Sequence, residues 1–172
     1  MRLLALALAA GVVGSRAAAQ QIPRSQSASV SQTVAHTDIT IRYRRPVAHG
    51  RTLFGDVVQW GRVWTPGADS ATTIRFSAAV RVNGDSLPAG TYSIWMIPDS
   101  TAAWTVIFSR AQPVFHTPYP GDDYDQLRIR VTPRRGEHME TLAFYFPVVD
   151  GSSATLVMHW GTTVIPISIA AP

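Results

Sequence analysis

Apolar and polar residues alternate along most of the chain. In His36 to Tyr43, the residues Ile39, Ile41 and Tyr43 fall on one face, with Asp38, Thr40 and Arg42 on the other. That period of two is what a half-buried β-strand requires. Pro46 follows, and with no N–H it cannot continue a ladder. Ile74 and Phe76 alternate with Thr73 and Arg75, and Val80 and Val82 carry the phase to Asn83-Gly84. Both of those residues tolerate positive φ, so the pair predicts a tight hairpin. Leu87-Pro88-Ala89-Gly90 predicts a second turn, after which Tyr92, Ile94 and Met96 share a face until Pro98-Asp99-Ser100. Further strands are expected at Trp104 to Phe108, at Leu127 to Val131 before Pro133, and at Leu142 to Phe146 before Pro147. Ala154 to Trp160 and Val164 to Ile169 close the chain, with Pro166 assigning the last strand to an edge or a bulge.

Short strands separated by Gly, Pro and Asn turns predict an all-β fold, a single antiparallel β-sandwich of immunoglobulin or jelly-roll type with long loops. At most a turn or two of helix fits around Asp56 to Gly61, which leaves no amphipathic helix to cover a sheet.

The ends and the charge bound the setting. Met1-Arg2, the apolar run Leu3 to Gly14 and Ala17-Ala18-Ala19 read as a secretory signal peptide over residues 1–19, too short to span a bilayer. Polar residues 20–31 read as a flexible leader and 32–172 as the folded domain, exported to a periplasm or the cell exterior. Removing 19 of the 172 residues leaves 153, one domain large enough for a substantial core. With no Cys, that core must hold without disulfides. All 15 cationic residues are Arg; with Arg2 and Arg16 in the signal peptide, 13 face 11 acids, a net of +2. So small an excess argues against a nucleic-acid surface. No other apolar run is long enough to span a membrane, and no motif calls for a cofactor.

The segment from Tyr43 to Phe76 stands apart. It is long, rich in Arg, Gly and aromatics, and lies between two strands; an ordered connection of that length is usually functional. Its pieces Tyr43-x-Arg45-Pro46, Gly50-Arg51-x-x-Phe54-Gly55, Val63-Trp64-x-x-Gly67-Ala68 and Thr72-Thr73-Ile74-x-Phe76 occur in order, followed by Leu87 to Ser93, Trp104 to Ile107 and Trp160-Gly161. In this order they resemble the bacterial exported family known as domain of unknown function 2911. The resemblance implies fold and export and carries no mechanism. Where the family pattern has Arg after the Trp and Asn after Gly-Ala, this chain has Thr65 and Asp69.

Candidate chemistry follows from residue types. Tyr43, Arg45, His49, Arg51, Trp64 and Asp69 are the candidate ligand-binding residues. A guanidinium such as Arg51 can recognise carboxylate or phosphate bidentately. The competing expectation is an internal Arg51–Asp69 pair that pins the loop. Trp60, Trp64 and Tyr43 suit either an aromatic platform for a sugar or apolar ligand, or a plug for the open end of the sandwich. His36 and Asp38 with His49 would make a weak transition-metal set. His159 is expected at the surface or as a satisfied sheet histidine. Asp122, Asp123 and Asp125 lack the spacing of a calcium cradle and read as a solvated loop. Arg128, Arg130, Arg134 and Arg135 read as a charged outer face. There is no Cys nucleophile and no Gly-x-Ser-x-Gly elbow, and Glu137 and Glu140 sit near one turn. The expected function is therefore a non-catalytic module binding a small molecule or an envelope component. A hydrolase or metal-assisted enzyme using His36, Asp38, His49 and Arg51 is the first alternative, and a purely structural module the second.

Overall fold

The computed structural model describes residues 22–172, so the signal peptide expected over residues 1–19 lies outside the described residues. In chain order the strands are β1 (Gln26–Val34), β2 (Thr37–Arg45), β3 (Thr73–Phe76), β4 (Val80–Val82) and β5 (Asp85–Leu87). They continue with β6 (Gly90–Ile97), β7 (Trp104–Ser109), β8 (Asp125–Val131), β9 (Arg134–Asp150) and β10 (Ser153–Ala170). These strands build two antiparallel sheets, ordered β1-β2-β3-β6-β7-β8 and β5-β4-β10-β9, the all-β sandwich that the alternation predicts. The only helical piece among the described residues is a 3₁₀ turn at Asp122–Tyr124; Asp56 to Gly61 forms turns instead.

The inward faces are the predicted ones. Ile39 and Ile41 of β2, Ile74 and Phe76 of β3, Val106 and Phe108 of β7 and Leu156 of β10 are buried in one core between the sheets. The continuous phase from Ile74 to Val82 conceals a change of sheet: β3 pairs with β2 and β6, while β4 pairs with β10 and β5. Three residues between them carry the chain across the sandwich.

Three features depart from the expectations. Gln26 to Ser31, placed in a flexible leader, form most of β1 and pair with β2. Ala28 and Val30 alternate with serines and pack on the core, but so small an apolar face is outweighed by the surrounding polar residues. Pro147 does not end its strand but lies inside β9, where two residues, Phe146 and Pro147, oppose one residue of β10. An edge strand at a bulge tolerates the missing N–H. Pro166 lies in an interior strand, in the gap between the β10 residues that pair with β9 and those that pair with β4.

A second, smaller core lies on the outer face of the six-stranded sheet, where Trp95 of β6, Ile107 of β7 and Ala71 are covered by Val114 and Tyr119. The proline-rich loop from Arg110 to Asp125 is its lid. Tyr119 packs edge-on against Trp95 and its hydroxyl donates to Asp125 Oδ1. Burial, then that carboxylate, pushes the phenol well above its ordinary value of 10. Arg128 Nη2 reaches Asp122 at 2.6 Å, and Arg128 Nε donates to Asp125. Asp122 and Asp125 therefore anchor the lid, while the exposed Asp123 side chain fits the solvated loop expected there.

Burial separates neighbours along one strand by their expected contribution. Ile41→Ala leaves a hole in the main core and is expected to lower the unfolding free energy by about 2–5 kcal/mol, whereas Arg42→Ala on the exposed face should change it by less than about 0.5 kcal/mol. Urea denaturation of the two variants checks this.

Candidate functional site

The segment between β2 and β3 is ordered because it borrows the sheet's own hydrogen bonds. β6 pairs with β3 only as far as Ser93; beyond that, the loop takes over as its neighbour. Trp64 N–H donates to Met96 O at 2.8 Å and Met96 N–H returns to Trp64 O at 2.7 Å, with Gly61 N–H on Pro98 O at 2.8 Å. Thr65 completes the splice: its buried hydroxyl donates to Ile94 O at 2.8 Å and accepts the Thr72 N–H at 3.2 Å. Thr65, which stands where the family pattern has Arg, is thus a fastening of the loop.

At its start the segment is tied to the other sheet. Val47 bridges to Thr141 of β9, with Ala48 N–H on Glu140 O at 2.8 Å and Leu142 N–H on Pro46 O at 3.0 Å. Glu140 then holds the turn: its Oε1 accepts the His49 backbone N–H at 2.6 Å, and its Oε2 meets His138 Nε2 at 2.8 Å. The His138 bond, then the His49 amide, keeps the Glu140 carboxyl below its ordinary value of 4.5.

The aromatics pack around Phe54, whose ring lies 4.8 Å from Trp104 and 6.0 Å from Trp64, centroid to centroid. Trp60, half exposed, covers Gly55, where φ is +96° and a Cβ would come within 2.6 Å of the indole nitrogen. Only glycine fits both demands. Trp64 stacks on Trp160 of β10, nearly parallel at 15° and 6.1 Å. The indole N–H of Trp160 is buried without a partner among the described residues.

These parts enclose an open cleft of about 700 Å³. His49, Arg51 and Trp64 line it together, facing Arg24, Val57 and Trp160. Arg51 spends its Nε–H on Ala48 O at 2.8 Å and one Nη2–H on Val47 O at 2.7 Å. Of the five N–H donors of a guanidinium, three are left over for a ligand. Among the described residues, no carboxylate lines the cleft.

Other candidates lie elsewhere. Tyr43 is in the core, edge-on to Phe144 with its hydroxyl accepting the Phe144 N–H at 3.1 Å, so it belongs to no surface platform. Arg45 donates to Leu142 O at 2.9 Å, locking β2 to β9. Asp69 pairs with Arg44 at 3.4 Å and not with Arg51, so the expected internal pair exists with a different partner. At φ +60°, Asp69 occupies a left-handed position that suits the Asn of the family pattern. Its carbonyl accepts the backbone N–H and Nδ1–H of His116, each at 2.8 Å.

His36 and Asp38 sit at the start of β2 and His49 beyond its end, roughly 25 Å apart for a strand of that length. That metal set is therefore not assembled, and no group of three or more ligating side chains suited to a metal occurs among the described residues. His159 is a satisfied sheet histidine: Nε2–H donates to Glu137 O at 3.0 Å, and Nδ1 accepts from the Tyr145 hydroxyl at 3.1 Å. Sequence reasoning missed Arg24, placed in the leader, and the role of Trp160, whose pairing with Trp64 is set by a cross-sheet contact.

Two expectations follow. Thr65→Val should cost about 1–3 kcal/mol because it orphans the Thr72 N–H and the Ile94 carbonyl, while Thr65→Ser keeps most of the stability in denaturant titrations. A depressed carboxyl contributes stability that is present above its unfolded value and lost as pH falls through its folded value. The tie from Glu140 to His49 should therefore loosen only below pH 4.5. An NMR titration of the His49 amide reads this, and Glu140→Gln should abolish the transition.

Comparison with curated proteins and with solved structures finds no significant match. A family model, described as protein of unknown function (DUF2911), matches residues 25–169, which takes in all of the cleft except Arg24. By that match over most of its length, the chain belongs to the DUF2911 family.

Proposed function

We propose that this protein is an exported β-sandwich module that binds a small anionic ligand in the cleft formed by the Tyr43–Asp69 segment. The observation that carries the reading is the composition of the cleft wall. Two arginines and a histidine face it, no carboxylate among the described residues does, and partly exposed Trp64, backed by buried Trp160, supplies an apolar surface. Such a wall suits a carboxylate- or phosphate-bearing molecule with a flat or apolar body. Arg51 is held by carbonyls at its inner edge, so its outer donors are oriented before a ligand arrives, which reduces the entropic cost of binding. No nucleophile is hydrogen-bonded to a base within this wall, which favours binding over turnover. Export rests on the signal-peptide pattern, the apolar run Leu3 to Gly14 ending at Ala17-Ala18-Ala19.

Titration with a panel of carboxylates and phosphate monoesters, followed by tryptophan fluorescence, tests the binding. At least one member should bind, and Arg51→Ala should weaken it roughly 10- to 100-fold, the loss of charge-assisted hydrogen bonds. Arg24→Ala, which removes no hydrogen bond or ion pair of the described fold, should weaken it with melting temperature unchanged. Uniform silence across the panel, or unaltered affinity in both variants, would refute the reading. For export, the mature protein recovered outside the cytoplasm should begin at Gln20.

A further inference from the structure

The cleft does not end at Arg51. Arg51 and Trp160 also form the near wall of a second recess of about 330 Å³, which continues past Phe54 to Trp60, His138 and Thr163. Trp60, Thr162 and Thr163 are in turn shared with a third recess of about 450 Å³, which reaches Trp104, Arg134 and Arg135. Shared wall residues set the three recesses side by side. In order, their walls present Arg24, the partly exposed Trp64 backed by buried Trp160, Arg51, half-exposed Trp60, then Arg134 and Arg135.

Among the described residues, the only carboxylate lining any of the three recesses is that of Asp99. Its Oδ1 accepts the N–H groups of Thr101 and Ala102, each at 2.8 Å, which ties this oxygen to the local turn. Hydroxyls of Thr52, Thr162 and Thr163 add neutral hydrogen-bonding groups to the far recesses. Arg134 and Arg135 are exposed and enter no ion pair among the described residues.

We propose that these recesses act together as one groove for a linear acidic oligosaccharide, at least three sugar units long, with carboxylates on the arginines and sugar ring faces on the exposed parts of Trp64 and Trp60. The proposal rests on the anion-binding reading of the first cleft and extends it. A chain of sugars offers what the groove repeats: flat C–H faces for tryptophan, hydroxyls for threonine and a carboxylate at intervals for arginine. A nucleic acid also combines rings with negative charge, but the threonine hydroxyls lining the second and third recesses match the hydroxyls of a sugar chain.

Isothermal titration with galacturonic acid and with its trimer and hexamer tests the proposal. Affinity should rise at least 10-fold from monomer to trimer, and a neutral glucan of equal length should bind at least 10-fold more weakly than the trimer. The double variant Arg134→Ala/Arg135→Ala should lose the gain with length while binding the monouronate as before. If the monouronate binds but length brings no gain, or the double variant keeps the gain, the extended groove is wrong and the first cleft stands alone. If neither monomer nor oligomer binds, the oligosaccharide proposal fails, while carboxylates and phosphates of other shape still decide the first cleft. Tighter binding of a thymidine oligonucleotide than of the hexamer would also overturn the proposal.

Discussion

Everything at the candidate site depends on one set of backbone hydrogen bonds, those by which Trp64 continues the sheet alongside Met96. β3 is short, and where it stops β6 would be left with bare N–H and C=O groups beside a buried core. Unpaired groups in that position are costly, so some segment must fill the gap. The long loop does so, and in doing so turns from a floppy connection into a wall. Trp64 is thereby set against Trp160 of the opposite sheet, and Arg51 and His49 upstream are fixed by contacts with Glu140 and the local carbonyls. The cleft is a consequence of this repair.

The electrostatics of the wall follow from the same construction. Acidic groups near the site are spent on holding it. Glu140 clamps the His49 turn and His138, and Asp69 faces Arg44 on β2, away from the cleft. What remains toward solvent is cationic or aromatic. Arg51 serves both purposes, with one edge bound to the loop and the other open. A chain with only a small net charge thus presents a locally positive groove.

The fold was legible because its cause is local. Alternation at Ile39, Ile41, Ile74 and Phe76 is a property of each strand alone, and the sandwich follows once two such faces meet. The turns at Asn83-Gly84 and Leu87 to Gly90 were equally direct. β1 was hidden because the inward residues of its first part, Ala28 and Val30, are few and small among serines, a weak alternation beside the backbone pairing to β2. The outer core under the Arg110–Asp125 lid was hidden for a related reason: Trp95 and Ile107 stand in the outward phase of strands already assigned an inner face. At the site, the sequence brought out His49, Arg51 and Trp64 as residues of one dense segment, and all three line the cleft. It could not assign partners. Whether Arg44 or Arg51 meets Asp69, whether Tyr43 points in or out, and which ring stacks on Trp64 are decided by contacts between distant strands. His36 and His49 look close in sequence, yet one strand length keeps them at opposite ends of the sandwich.

The most direct test of this account is amide hydrogen exchange at Trp64, Gly61 and Met96 in the folded protein. If the loop is a true neighbour of β6, these amides should be protected to a degree comparable with those of β3 and the first half of β6. Exchange of Trp64 and Gly61 at the rate of an unstructured peptide, with β6 still protected, would mean that the segment is not part of the sheet and that the cleft it walls does not exist as described.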